Sequence, residues 1–470
     1  MKIRLVMKSV LENNYPGKTP EEIAKELMQT PAFSVIHHTM RDDLGRLAVT
    51  SIIQQMLSDG QITLTNDFDK KFETDKFDLG TNRKVAGLMG STCYMADDFE
   101  KLYQKTEENI LRIASLVEQN GHHSTFGHSH LTLEISGLPK ALAMVLNNEK
   151  EYCTSEKSAR YTIMKDIEPK QQALYDKWKE IFKGKIDKVY GKCQPFFDED
   201  GKKSTKLAQE NARYMLSVFT PTNMVYTTSF RQLNYLYHWM QQEIENPSNS
   251  FYKQLIPDMK EFSAWCESKN LISNDLVDGK GRSFSLFGEP NIEKTWSNTY
   301  QDDYMASFAC LAQLHRHRSI NYSIDKNSFK NNFAENNSYF IPPILKDDEK
   351  LVKAYLKDIA SVGEFLPQGT LVHISEQGDI DSFLLKARER NCSMAQLEIA
   401  NLTFAQTKEY YSALDKKYQD FAKENNPNAQ TVKDMAGRLE PLTHGARCTA
   451  GYNCASPCAF ADGIKMERLV

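Results

Sequence analysis

The chain has 470 residues, a net charge of -4, 26% charged and 40% hydrophobic residues. That length suffices for roughly three domains' worth of buried core, and the near balance of charge excludes the global basic field that nucleic-acid binding through phosphates requires. No apolar run approaches the ~18 residues needed to span a bilayer, and MKIRLVMKSVLENN leads into no small-residue cleavage site.

Residues 1–78 stand apart from the rest of the chain. KTPEEIAKELMQT carries a helix start, with Thr19 as N-cap, Pro20 at the first helical position and Glu21 and Glu22 in the first turn. Further helices and a short strand after Asp59-Gly60 suit a small, mainly helical extension compatible with a winged helix. Its acidic and basic residues nearly balance, so a packing or interaction role is expected rather than DNA reading.

From Val85 the chain becomes small and apolar, and DDFEKLYQKTEENILRIASLVEQNG predicts one long amphipathic helix stopped by Gly121. LTLEIS alternates as a half-buried strand and LPKALAMVLNNEK returns to helix. A mixed-charge helix follows near 170–190, then an aromatic-rich, buried stretch from Glu210 to Ile244, and a linker around Asp278-Gly279-Lys280-Gly281. The second part repeats the rhythm. An apolar helix from Tyr304 to Leu314 ends in Gln313-Leu314-His315-Arg316-His317-Arg318. A polar loop (Asn327 to Asn337), a charged helix to Val362, FLPQGTLVHIS and a long helical region from Ser382 past Ala422 come after it. The recurrence suggests an internal duplication with a period far longer than a solenoid repeat.

The basic run at 313–318 has an ordinary explanation, a solvated helix end where cations meet the macrodipole. Two guanidiniums beside an imidazole also suit an anion such as a phosphate. Helical spacing puts Gln313 and Arg316 on one face. The tail His444, Cys448, Cys454 and Cys458 lacks the paired spacing of a zinc site, and no metal is expected. The cysteines number nine, and with no secretion signal they are expected as reduced thiols in an intracellular, cytoplasmic protein.

GHHSTFGHSHLTLEISGLPKALAMVLNNEKEYCTSEKSARY resembles the signature region of flavin-dependent thymidylate synthases. Gly121, His122, Ser124 and His128 match, as do Glu156 and Ser158-Ala159-Arg160-Tyr161, while Asn148-Glu149-Lys150 stands where the family has Arg-His-Arg. The acidic residue usual in the His-containing segment is Gly127. The second part shows the reverse: Gln313 and Arg316-His317-Arg318 match, but Lys326-Asn327-Ser328-Phe329 replaces Ser-x-Arg-Tyr and EPNIEKTW replaces Gly-His-x-Ser. Downstream, Ala212-Arg213 is kept in the first part with Met240 at the later arginine position. The second part has Gly363 at the earlier position and keeps Arg390, followed by Ala395-Gln396-Leu397-Glu398-Ile399.

The resemblance implies an α+β chain of two tandem domains, 79–275 and 276–445, between the extension 1–78 and a Cys-containing tail 446–470. Complementary loss in the two copies implies composite sites that use both. Around dUMP the resemblance places Gln313, Arg316 and Arg390 from one copy with Glu156, Ser158, Arg160 and Arg213 from the other, with Arg390 and Gln313 as the catalytic pair. His122, Ser124, Arg316, His317 and Arg318 would hold FAD. Methylenetetrahydrofolate would give the carbon, NADPH-reduced flavin the hydride, and two chains would form a homodimeric pseudo-tetramer. The alternatives are a related flavin and folate enzyme that hydroxymethylates another pyrimidine nucleotide, and a non-catalytic assembly or regulatory protein. For a single arginine a surface salt bridge is the commoner explanation. The repeated spacing argues for ligand roles.

Overall fold

The computed structural model describes residues 1–8, 77–94, 101, 104–160, 162, 164–191, 201–277, 286–330, 338–392, 395–448, 450–451 and 468–470. The expected helices of 9–76, the linker glycines, most of the Asn327–Asn337 loop, Cys454 and Cys458 lie outside the described residues. Among the described residues no helix is long and apolar enough to cross a membrane.

The first part opens with β1 (Lys2–Lys8) and continues through α1 (Leu79–Ser91), α2 (Glu107–Gln119), β2 (His130–Pro139), α3 (Lys140–Asn148), β3 (Tyr152–Glu156), α4 (Pro169–Tyr190), α5 (Lys202–Ala212), β4 (Pro221–Ser229), α6 (Phe230–Glu245) and α7 (Ser250–Ser268). The second comprises β5 (Phe287–Gly288), β6 (Thr295–Trp296), β7 (Thr299–Ser307), α8 (Phe308–Leu314), β8 (Asn321–Asp325), α9 (Glu349–Ala360), β9 (Leu371–Asp379), α10 (Ile380–Arg390), α11 (Leu397–Lys423) and α12 (Ala429–Leu439). The sheets run β1-β2-β4-β3 and β5-β8-β9-β7-β6. Both hold the same antiparallel core, in which the last of three strands lies between the first two.

Local chemistry explains the boundaries. Ser229 and Ser307 cap α6 and α8 with their hydroxyls, and Asp379 caps α10 with its carboxylate, each satisfying an amide the helix itself leaves unpaired. β2 alternates buried Leu131, Leu133 and Ile135 with more open positions, as a one-sided strand must.

The two parts meet about an approximate two-fold relation. Val218 N–H donates to Leu366 O at 3.0 Å and Gln368 N–H donates to Leu216 O at 2.7 Å, around a bridge between Ser217 and Pro367. Lys140 and Ala141 N–H donate to Thr220 O and Val218 O, and Phe308 and Ala309 N–H donate to Thr370 O and Gln368 O. The Val218–Leu366 and Gln368–Leu216 bonds are reciprocal, the form of an isologous interface, here within one chain, and the other four repeat one arrangement inside each part. At the axis a Cβ on Gly369 would lie 2.8 Å from Ile359 Cδ1 and 3.0 Å from Tyr214 Cβ, so only glycine fits without movement. One hydrophobic core crosses the junction, with Phe308 of α8 stacked on Phe251 of α7 at 6.0 Å.

Several expectations need correction. Residues 2–8 are not part of a separate helical module: they form an edge strand paired antiparallel to β2. Tyr304 lies on β7, and the helix begins only at Phe308, where the Ser307 cap starts it. The predicted helix up to Gly121 starts at Glu107, capped by Thr106. The helical region after Ser382 is two helices, α10 and α11, separated around residues 391–396.

Candidate functional site

The last turn of α8 carries Gln313. Its Nε2 donates to Ala309 O at 3.2 Å and to the side-chain oxygen of Gln396. That same oxygen accepts a bond from Arg213 Nη2, so one amide ties together a residue of each part. Gln396 Nε2 donates to the Tyr214 hydroxyl, which donates to Glu398 at 2.8 Å. Glu398 also accepts from Ser307 N–H at 2.8 Å and from the Ser307 hydroxyl at 2.6 Å. Burial raises the Glu398 pKa, against those hydrogen bonds and the nearby Arg213 charge.

Arg390, at the end of α10, joins from the other side. Its Nε donates to His317 Nε2 at 2.7 Å and its Nη2 to Gln313 O at 3.3 Å. Arg160 pairs with Glu210 at 2.7 Å. Burial lowers the pKa of Arg213 and of Arg390, and the Arg160 charge pushes both further down. Guanidiniums stay protonated in proteins, so these shifts mark chiefly two buried cations, with the Arg160 charge a smaller cause. Arg213 Nε and Gln313 Oε1, buried, have no hydrogen-bond partner among the described residues. A donor and an acceptor left unpaired cost about 1–3 kcal/mol each. The arrangement suits a polar, anionic ligand, which would relieve both the repulsion and the unmade bonds.

A cavity of about 150 Å³ lies where α3 and α8 end side by side. Asn148, Glu149 and Lys150 line it from one part, and His315, Arg318 and Tyr322 from the other. Lys150 Nζ donates to Ile320 O at 3.0 Å and Asn321 Oδ1 at 2.8 Å. Arg318 lies 3.7 Å from Cys153 Sγ and 3.5 Å from Thr154 O, 5.3 Å from the Tyr152 ring centroid. The His315 ring nitrogens and the Tyr322 hydroxyl are buried without a partner among the described residues. Burial, then Lys140 and Lys150, push the His315 pKa down to about 3. Burial, then Arg390 and Lys386, push that of His317 to about 2. His317 is therefore neutral, with Nε2 accepting from Arg390 and the proton on Nδ1. The cavity fits a FAD portion the size of one phosphate or one ring, with cations and unmade hydrogen bonds to meet it.

The basic run thus alternates: His315 and His317 are buried, Arg316 and Arg318 exposed. Because α8 stops at Leu314, Arg316 follows in a turn, its N–H on Gln313 O at 3.2 Å. Gln313, Arg390, Arg213 and Arg160 come together in one chain. Ser158 Oγ accepts from Arg160 N–H at 3.3 Å and so shapes that arginine's turn. Glu156 instead pairs with Lys140 at 2.6 Å and accepts from Asn147 at 3.5 Å. His122 and Ser124 are exposed beside a turn packed on α1, α2 and α6, while the adjacent His123 is buried between Tyr235 and Glu118 O.

Gln396, Glu398 and Tyr214 are central here but were not among the expected site residues. The Ala395–Ile399 run served only as a spacing landmark, though two polar side chains opening an apolar helix were a usable signal.

Residues 79–255 match the family described as thymidylate synthase complementing protein. No curated protein matches the chain. Among solved structures, the flavin-dependent thymidylate synthase of Helicobacter pylori complexed with FAD and dUMP is 16% identical. The match covers 42% of this chain and 96% of that one, at a TM-score of 0.26. A UMP/dUMP methylase, PolB, of Streptomyces cacaoi bound with 5-Br dUMP is 14% identical over 40% of this chain and 88% of that one, at a TM-score of 0.24. The family likeness thus lies in residues 79–255, less than half of the chain.

Proposed function

We propose that the chain is a flavin-dependent thymidylate synthase made of two fused, complementary copies, which methylates dUMP at a site assembled from both copies within one chain. The observation that carries this reading is the shared Gln396 oxygen, which brings Arg213 of one part and Gln313 of the other into one cluster with Arg160 and Arg390.

In this reading Arg160, Arg213 and the Ser158 hydroxyl hold the nucleotide phosphate with charge-assisted bonds. The Gln313 amide, with a donor and an acceptor, reads the pyrimidine edge. Arg390 stabilises negative charge as it develops on the ring, and neutral His317 fixes the orientation of its guanidinium. Arg316 closes the nucleotide side, with Glu156 keeping the end of β3 in place through Lys140. Bound FAD, reduced by NADPH, supplies the hydride, and methylenetetrahydrofolate supplies the carbon. Arg318 and His317 face the FAD cavity, and the exposed His122 and Ser124 serve the cofactor of a second chain in a homodimer.

The test combines colour and product. Purified protein should show flavin absorbance that Arg318→Glu removes, and should convert dUMP with methylenetetrahydrofolate and NADPH to a product of the mass of dTMP. A hydroxymethylated product would move the reading to a related pyrimidine alkylase. A protein that binds no added flavin and leaves dUMP unchanged would overturn it.

A further inference from the structure

The last three described residues return to the site. Val470 is buried in the hydrophobic cluster built around α4 and α9, and Leu469 N–H donates to the Tyr190 hydroxyl at 2.7 Å. That anchorage delivers Arg468 to the junction between α10 and α11. Its Nε donates to Val470 O at 2.7 Å, its Nη1 to Cys392 O at 3.5 Å and its Nη2 to Ala395 O. Cys392 follows Arg390 closely, with its N–H on Arg390 O at 2.7 Å. Ala395 immediately precedes Gln396, whose side chain makes no helix cap and points instead to Arg213 and Gln313.

We propose that Arg468 is a positioning residue of the nucleotide site, holding the Cys392 and Ala395 carbonyls and thereby setting Arg390 relative to Gln396. The inference rests on the proposed nucleotide role of that site. A guanidinium is suited to the task because its rigid fork reaches two carbonyls at once, which a lysine ammonium on a flexible stem does less well. Arg468 also feels the attraction of Glu210 and the repulsion of Arg160, so it contributes to the charge balance around the arginine cluster.

The experiment compares full-length wild type, Arg468→Lys and Arg468→Ala, each with its flavin. dUMP affinity is measured by calorimetry, and backbone hydrogen exchange is followed at Asn391 and Ala395, whose N–H groups bond to Ala387 O and Cys392 O. Arg468→Ala should weaken dUMP binding tenfold or more and speed exchange at both amides, with flavin content unchanged and Arg468→Lys in between. Unchanged exchange at both amides in Arg468→Ala, or faster exchange with dUMP affinity within twofold of wild type, would overturn the proposal. If wild type itself binds no dUMP, the nucleotide reading fails, and the exchange data still decide whether Arg468 orders the junction. Should Arg468→Ala not fold, Arg468→Lys alone must show weakened dUMP binding and faster exchange, and wild-type values would overturn the proposal.

Discussion

The two parts of the molecule share a scaffold and divide the chemistry. In each, a strand leads through a helix to a second strand, and a third strand inserts between them before a capped helix. At matching places along those helices, after the caps Ser229 and Asp379, the first part has Leu236 and Met240 and the second has Lys386 and Arg390. Leu236 and Met240 are wholly buried in an apolar core. Lys386, equally buried, pairs with Glu376, which also accepts bonds from the Tyr300 and Tyr304 hydroxyls. The same helix is thus a packing element in one part and the support of a charged site in the other. Backbone geometry tolerates both contents because the buried charge of Lys386 is matched by that of Glu376.

That contrast can be broken most strongly at Arg390. Arg390→Ala should lower kcat/KM for dUMP by on the order of 10²–10³, the usual cost of removing one preorganised charge-stabilising donor. Met240→Ala should instead cost about 2–5 kcal/mol of stability through a cavity, leaving dUMP affinity unchanged. Steady-state kinetics and urea unfolding separate the two outcomes.

The next largest effect concerns the buried pair. Lys386→Met leaves Glu376 uncompensated and should destabilise by about 3–5 kcal/mol, whereas the double change with Glu376→Gln should recover most of it. Equal unfolding midpoints for the single and double variants would show that the pair does not support the second part.

A smaller, pH-dependent effect falls on His315, whose counterpart at the end of α3 is Asn147. Burial holds the folded His315 pKa to about 3, below its ordinary value of 6.5. The unfolded chain therefore binds the proton first. The stability due to neutral His315 is complete above about pH 6.5 and is lost as pH falls towards 3, at about 1.4 kcal/mol per pH unit. His315→Asn should flatten the decline in unfolding free energy between pH 6.5 and 5, and an unchanged slope would contradict the buried, neutral state. Smallest of all, Lys150→Ala should cost less than about 1 kcal/mol, because its bonds to Ile320 O and Asn321 lie at the edge of the cavity.

Much of this division was legible in the sequence. Alternation and charge patterning marked β2, α3, α4 and α9, and motif spacing picked out Arg160, Arg213, Gln313 and Arg390, which the fold brings together. What local pattern could not show was pairing at a distance. β1 finds its partner strand far along the chain, and a seven-residue stretch carries no sign of it. Glu156 matched by spacing, yet Lys140 on the neighbouring helix takes its charge. Gln396 and Glu398 fall inside the long helical region expected after Ser382, and their roles show only where Tyr214, Arg213 and Ser307 meet them. Arg468 had no signal at all, since its role depends on where Val470 packs.

The central claim is that one chain supplies a complete nucleotide site from both of its parts. Arg213→Ala and Arg390→Ala chains, each inactive and each shown to fold by thermal unfolding, are mixed under conditions that exchange subunits. Because both arginines meet through Gln313 and Gln396 of the same chain, every site in the mixture carries one lesion and dUMP turnover should stay at the level of the single variants. Recovery of about a quarter or more of wild-type activity would mean that the two arginines act from different chains and would contradict the account.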